Sequence, residues 1–137
     1  MEDSPTDVLL TREAIDRADV ASIVHVVDNG VEAMEFLNHR GRFAAAPRPD
    51  IILLDLNMPR MNGQEVLVEI KRDKDLKSIP VVILTTSQSP ADINRAYSQH
   101  ANCYITKPVE FEAFATLVHS VLNFWCNVAT LSVVARP

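Results

Sequence analysis

Residues 51–63 read IILLDLNMPRMNG, an aliphatic run that is followed at once by a carboxylate and then by a loop. Four consecutive aliphatic residues are typical of a strand that is buried on both faces of a sheet. An acidic side chain directly after such a strand is costly unless it lies at the mouth of a site. Sheets of the α/β class also bind their ligands at the carboxyl ends of their strands. The segment therefore predicts an α/β protein with Asp55 at a functional edge.

Two further apolar runs end in polar side chains. Residues 81–84 lead into Thr85, and residues 103–105 lead into Lys107 and Pro108. Apolar runs alternate with segments of helical period, which predicts repeated βα units and a parallel sheet covered on both faces. Three strand ends therefore offer a carboxylate, a hydroxyl and an ammonium group. Taken alone, a threonine at a strand end usually caps the strand and a Lys-Pro pair usually turns the chain. Only the joint spacing of these residues indicates a functional site.

The remaining elements follow from local signals. Ser4 is a helix cap with Pro5 at the first helical position and Asp7 three residues after the cap. Residues 23–27 are predicted to form a strand. Predicted helices cover the segment from Ser4 to about residue 18 and residues 31–39, 64–73, 90–100 and 111–124.

With the acidic pair Glu2 and Asp3, the chain resembles the receiver domain of two-component response regulators, which a histidine kinase phosphorylates on aspartate. Asp55 matches the phosphoacceptor of that family. Thr85, thirty positions later, matches its switch hydroxyl, and Lys107, fifty-two positions after Asp55, matches its lysine. The resemblance implies a doubly wound parallel five-stranded sheet of strand order 2-1-3-4-5. It also implies a phosphorelay switch rather than an enzyme, apart from the help that the domain gives to its own phosphorylation and dephosphorylation.

The resemblance implies a set of ligands for a hard divalent cation, Mg²⁺ or Mn²⁺. They are Asp3, Asp55, the backbone carbonyl of Asn57, and Glu2 through water, which are oxygen donors of the kind that Mg²⁺ prefers. Lys107 would pair with one phosphoryl oxygen, and Thr85 would bind another.

Tyr104 falls at the position of the family's switch aromatic residue and would rotate inward as Thr85 moves. Residues 84–87, residues 102–108 and the pair Phe124-Trp125 also resemble single-domain regulators that partner phytochrome-type kinases. The implied partner is therefore a sensor histidine kinase of that type, while the downstream target stays unknown.

The apolar side chains of the last helix cover more than the one face that can pack on the sheet. A second apolar face usually indicates a partner. Leu117, Phe124 and the tail 128–134 therefore predict a homodimer through the fourth helix, the fifth strand and the fifth helix. The interface would be isologous.

Length and charge limit the function further. A chain of 137 residues fits one receiver domain over residues 1–127 and a tail over residues 128–137, with no separate effector domain. A net charge of -5 without a basic cluster argues against nucleic-acid binding. Nothing in the sequence resembles a signal peptide or a membrane span, which favours a cytoplasmic location without membrane association.

Two other functions compete with phosphorelay as explanations of these residues. A phosphohydrolase of the haloacid dehalogenase type also begins from an aspartate at a strand end, but it needs a second acid where Asn57 stands, and an amide cannot donate that proton. A pseudo-receiver that binds partners without phosphorylation commonly lacks the phosphoacceptor, the lysine or the acidic pair, and this chain has all three.

One departure from the family pattern concerns the first strand. Family members carry a hydrophobic strand just before the acidic pair, where this chain has only Met1. Its loss would leave a slot about 10 Å wide, twice the strand spacing, between residues 23–27 and residues 51–54. We expect either that the start site is placed too late or that residues 130–135 fill the slot as a parallel strand.

Overall fold

The computed structural model describes residues 1–18 and 22–132. Three strands form the sheet, and we number them β1 (Ile52–Leu54), β2 (Val81–Thr85) and β3 (Cys103–Thr106). Five α-helices surround it: α1 (Pro5–Arg17), α2 (Gly30–Leu37), α3 (Gly63–Arg72), α4 (Pro90–Ser98) and α5 (Phe111–Asn123). A short 3₁₀ turn covers Gly41–Phe43, and a π-helical turn over Phe124–Val128 continues α5.

Helices α1 to α4 begin where a short polar side chain accepts a hydrogen bond from a backbone N–H of the first turn. Ser4 Oγ accepts a hydrogen bond from the N–H of Asp7, and Ser89 caps α4 in the same way. Asn62 and Glu65 form a reciprocal capping box at the start of α3. The predicted helices are confirmed, since both ends of each observed helix lie within two residues of the predicted ends.

The sheet is parallel in the order β1-β2-β3, with Ile52 opposite Val81 and Val82 opposite Cys103. One apolar core joins β1 and β2 to α2 and α3, and it includes the fully buried Leu67. A second core, which includes Phe114, joins Leu84 to α1 and α5. The predicted α/β fold with a parallel sheet is therefore confirmed, and helices cover both faces.

The strand predicted over residues 23–27 is wrong for the described chain, since these residues are not part of the sheet. A strand needs a hydrogen-bonded neighbour, and among the described residues only the backbones of Met1 and Glu2 bond to this segment or to the facing side of β1. Residues of this segment and of β1 line a cavity of about 780 Å³. Ile23 is consequently 88% exposed. The strand predicted over residues 130–135 extends beyond residue 132 and so lies partly outside the described residues.

Among the described residues, no helix combines the length and the apolar character that crossing a membrane requires.

Candidate functional site

Asp55 follows β1 directly and is 7% exposed. Its Oδ1 accepts a hydrogen bond of 2.9 Å from the N–H of Asn57, which fixes the carboxylate at the start of the loop. The first turn of α3 packs against the same backbone: a Cβ on Gly63 would lie 2.2 Å from the carbonyl oxygen of Asp55. Only glycine allows this approach, so the loop closes tightly behind the carboxylate.

Lys107 follows β3 and reaches back across the sheet edge. Its N–H donates to the carbonyl of Thr85 at 2.7 Å, which holds the ends of β2 and β3 together. Its side chain is 7% exposed, and Nζ donates to Oδ2 of Asp55 at 3.0 Å. Nζ also donates to Glu2 Oε2 and, at 3.1 Å, to Asp7 Oδ2. One buried ammonium group therefore forms ion pairs with three carboxylate side chains.

The charges of this group shift one another. Burial, and next the hydrogen bond with Asp55, raise the pKa of Glu2 to about 7. Burial alone would raise the pKa of Asp55 too, but hydrogen bonds from Glu2, the Asn57 N–H and Lys107 lower it below its usual range. For Lys107, burial opposes the charge, yet the hydrogen bonds with Glu2 and Asp55 raise its pKa. Asp55 therefore stays ionised, while Glu2 binds a proton more readily than an exposed glutamate does.

Three of these carboxylates could hold a cation. Oxygen atoms of Glu2, Asp7 and Asp55 all lie within 4.8 Å of one another. Carboxylate oxygens are suitable ligands for Mg²⁺ and Mn²⁺. Asp3, the third acid that the sequence predicted as a ligand, is exposed and is not part of this group. The Asn57 carbonyl stays a predicted ligand.

Asp7 is the site residue that the sequence analysis missed. Its place in the sequence indicates only the third position of a capped helix. Its N–H is indeed held by Ser4 Oγ, but its carboxylate is free to turn toward Lys107. The signal was available, because an acid in the first turn of a helix that follows an acidic pair lies close to that pair.

Thr85 and Tyr104 meet at the loop after β2. Thr85 is completely buried, and its Oγ1 accepts a long hydrogen bond of 3.5 Å from the N–H of Ser87. The hydroxyl of Tyr104 donates to the carbonyl of Ser87 at 2.9 Å. The N–H of Tyr104 donates to the hydroxyl of Tyr97 on α4 at 3.1 Å. Both predicted switch residues therefore contact one short loop, which connects them to α4.

The arrangement suits group transfer to Asp55. A carboxylate kept ionised lies beside a fixed ammonium group, and further carboxylates adjoin it for a divalent cation. Phosphoryl transfer depends mostly on such positioning and charge neutralisation.

The family model described as the response regulator receiver domain matches residues 1–119 of this chain. The response regulator Rcp1 of Synechocystis is 40% identical over 131 residues, an alignment that covers 96% of this chain and 89% of Rcp1.

Two solved structures are similar over almost the whole chain. The phosphorylated cyanobacterial phytochrome response regulator RcpA has a TM-score of 0.92 at 46% identity, covering 96% of this chain and 94% of its own. The Mn²⁺-bound form of Rcp1 has a TM-score of 0.91 at 40% identity, and the alignment covers 97% of this chain and 96% of the Rcp1 chain.

Proposed function

Because the chain belongs to the family of response regulator receiver domains, we propose that Asp55 accepts the phosphoryl group that a sensor histidine kinase donates. The domain is a signalling switch, and its family function is that of a phosphoacceptor. The observation that carries the assignment of Asp55 is its ion pair with Lys107 at 3.0 Å, made by two buried side chains from the ends of different strands.

Transfer would begin with a carboxylate oxygen of Asp55 attacking phosphorus. A bond forms between this oxygen and phosphorus while the bond from phosphorus to the imidazole nitrogen of the kinase breaks, and the electron pair leaves with the imidazole. The product is a mixed anhydride, an acyl phosphate. Aspartate is a weak nucleophile toward phosphorus, so the protein contributes mainly by holding it ionised and aligned. The hydrogen bond from the Asn57 N–H and the Lys107 ammonium group do this here.

Lys107 would then exchange its carboxylate partners for a phosphoryl oxygen. Its Nζ lies next to Asp55 and is held by Glu2 and Asp7 as well, so a small displacement keeps it paired throughout. Thr85, at the end of the neighbouring strand, would donate a hydrogen bond from its hydroxyl group to a second phosphoryl oxygen.

The donor set fits Mg²⁺ or Mn²⁺. Asp55 together with Glu2 and Asp7, whose oxygens the structure brings together, would hold the ion, and Asp3 and the Asn57 carbonyl are the further ligands that the family resemblance implies. When bound, such an ion neutralises charge on the transferred group. The similar structure of Mn²⁺-bound Rcp1 supports this proposal.

The output surface is formed by α4, β3 and α5. A movement of Thr85 toward the phosphoryl group would pull on Ser87, whose carbonyl holds the Tyr104 hydroxyl. Tyr104 also binds Tyr97 on α4 through its backbone. Rotation of Tyr104 is thus coupled to both the loop and the helix, and the surface changes shape.

The partner kinase is proposed to be of the phytochrome type and to meet this chain in the cytoplasm. Support comes from RcpA, described as a phytochrome response regulator, which is 46% identical. The receiver unit would comprise residues 1–127, followed by the tail 128–137. No role in nucleic-acid or membrane binding is proposed.

A homodimer through the output surface is the proposed assembly. Phe124 is 50% exposed and Val128 is 64% exposed, and they are the first and last residues of the π-helical turn that continues α5. Leu117 contributes less than its sequence position indicated, because it is half-buried and packs against the second core of its own chain.

The direct test is phosphorylation by a small acyl phosphate in the presence of Mg²⁺. A true receiver forms one acid-stable, base-labile phosphate per chain, which intact mass spectrometry detects. A pseudo-receiver stays unlabelled, and a phosphohydrolase releases inorganic phosphate in many turnovers without accumulating the product.

A further inference from the structure

Gln64 is a polar side chain in an apolar position of α3. It lies two residues after the cap Asn62 and is 5% exposed. The other buried side chains of this helix, which the structure describes over its whole length, are aliphatic: Val66, Leu67 and Ile70. Burying an amide is costly unless its groups are bonded, and the Oε1 atom of Gln64 has no hydrogen-bond partner among the described residues. Stability alone would therefore favour leucine at this position.

The other end of the Gln64 amide bonds to α4. Its Nε2 donates to the carbonyl of Asp92 at 3.3 Å, although the two residues are 28 positions apart. Helix α3 follows the loop that carries Asp55, and α4 follows the loop after Thr85. The bond therefore connects the two helices whose loops flank the site.

Asp92 in turn contacts the loop after β2. Its Oδ2 accepts a hydrogen bond of 2.6 Å from the hydroxyl of Ser87, and its N–H donates to Oγ of the cap Ser89 at 3.4 Å. A hydrogen bond to a carboxylate is stronger than one between neutral groups. The side chain of Ser87 is consequently held against the first turn of α4.

The backbone of Ser87 holds both proposed switch residues. Its N–H donates to Thr85 Oγ1 at 3.5 Å, and its carbonyl accepts from the Tyr104 hydroxyl at 2.9 Å. A hydroxyl oxygen that accepts a hydrogen bond keeps its own hydrogen to donate, so Thr85 stays able to bond a phosphoryl oxygen. Tyr104 is half-buried and packs against the core that joins β1 and β2 to α2 and α3.

We propose that Gln64 and Asp92 are positioning residues for phosphoryl transfer, which place Ser87 so that the Thr85 hydroxyl and the Tyr104 ring are aligned for the incoming group. Both act through Ser87 rather than on the transferred group itself. The inference rests on the proposed role of Asp55 as phosphoacceptor and adds a connection from α3 through α4 to the switch loop.

A purely structural role for these residues predicts a different outcome. An acid in the first turn of a helix is favourable because of the helix dipole, whatever it contacts. If Gln64 only filled space, a leucine of similar volume would do so equally well and phosphorylation would be unchanged. A positioning role instead predicts that Gln64→Leu keeps the stability of the domain and slows its phosphorylation.

The test measures the labelling of Asp55 by a small acyl phosphate with Mg²⁺ over a range of donor concentrations. Gln64→Leu and Ser87→Ala should each lower the maximal rate about fivefold and leave KM unchanged, as expected for a contact that carries coupling between sites. The unfolding temperature of Gln64→Leu should stay the same or rise. Ser87→Thr keeps the hydroxyl and should restore a rate close to that of the wild type. Asn94→Ala, on the exposed side of α4, is the control and should be labelled normally.

The double variant with Gln64→Leu and Ser87→Ala distinguishes a shared connection from two independent defects. If Gln64 acts through Ser87, the double variant should be no slower than Ser87→Ala alone, whereas independent defects would multiply to about 25-fold. Wild-type rates in both single variants, multiplied defects in the double variant, or a slow Gln64→Leu chain with a lowered unfolding temperature would each overturn the proposal.

Amide exchange at Ser87, measured without a phosphodonor, tests the connection independently of phosphorylation. Exchange at this position should be about fivefold faster in Gln64→Leu than in the wild type, because Ser87 has lost the support of α3. Unchanged exchange would contradict the proposed connection. A wild type that is not labelled at all would instead contradict the role of Asp55 as phosphoacceptor, so the two failures can be told apart.

Discussion

The Nζ atom of Lys107 lies 3.1 Å from Oδ2 of Asp7, although the two residues are a hundred positions apart. Asp7 belongs to the first turn of α1, and Lys107 follows the last strand of the sheet. The contact ties the amino-terminal helix to the phosphoacceptor through one ammonium group, since the same nitrogen binds Asp55. Asp7 is therefore a site residue as well as a helix-start residue.

Asp7 and Asp3 can be distinguished by their effect on cation binding. Asp7→Asn should weaken Mn²⁺ binding about tenfold, because it removes one of the three carboxylates that lie within 4.8 Å of one another. Asp3→Asn is the matched control and should have the smaller effect, since Asp3 is exposed. Calorimetric titration of each variant measures the affinity. A larger loss for Asp3→Asn would favour the ligand set of the family resemblance over the observed geometry.

Asp55→Asn should abolish phosphorylation by a small acyl phosphate while the fold stays intact. The amide is nearly isosteric but cannot attack phosphorus. Asp16→Asn, on the exposed side of α1, is the control and should be labelled normally. Intact mass and circular dichroism measure the two properties. Normal labelling of Asp55→Asn would remove the assigned phosphoacceptor.

Lys107→Met should lower the free energy of unfolding by about 3 kcal/mol at pH 8, because it leaves three neighbouring carboxylates without their shared cation. Added Mg²⁺ should restore most of this loss in the variant, and EDTA should reverse the restoration and suppress phosphorylation of the wild type. Urea unfolding with and without Mg²⁺ checks both. If the variant is as stable as the wild type in EDTA, the ion pairs do not hold the site together.

The stability of the cation-free protein should fall as the pH rises from 4.5 to 6. In this range the unfolded chain has released the proton of Glu2, whose ordinary pKa is 4.5, while the folded chain retains it because burial raises the pKa to about 7. The folded state then binds more protons, so a rise in pH destabilises it. Between pH 6 and 8 the Met1 amine opposes this trend, since burial lowers its pKa from 8.0 to about 6.

Glu2→Gln isolates the contribution of Glu2. The difference in unfolding temperature between the wild type and this variant should shrink or change sign from pH 4.5 to 6, as the wild type loses stability. A pH-independent difference would contradict the raised pKa.

Phe124→Glu should convert a dimer into monomers, because symmetry places the new charges close to each other. Leu9→Glu is the control: Leu9 on α1 is 69% exposed, against 50% for Phe124, and lies outside the proposed interface. Sedimentation velocity at several concentrations gives the masses. A wild type that stays monomeric at high concentration would exclude this interface.

Local sequence was enough to predict the helices, because an α-helix satisfies its backbone within its own segment and ends where side chains such as Ser4 and Asn62 can cap it. It was also enough to bring Asp55, Thr85 and Lys107 to one edge. Parallel strands put their carboxyl ends together, so residues that follow three apolar runs must meet there. The family resemblance added their roles, which spacing alone could not supply.

Tertiary structure decided the features that depend on contacts between distant segments, namely strand pairing and the partners of Lys107. Residues 23–27 have the composition of a strand but are not in the sheet. A strand takes its hydrogen bonds from an adjacent ladder, and within the described part of the chain the backbone bond to this segment comes from Glu2 alone. The choice of Asp7 rather than Asp3 as a partner of Lys107 likewise depends on how α1 packs over the sheet edge. Sequence determines which groups a segment offers, whereas the packing of distant segments determines which of those groups find a partner.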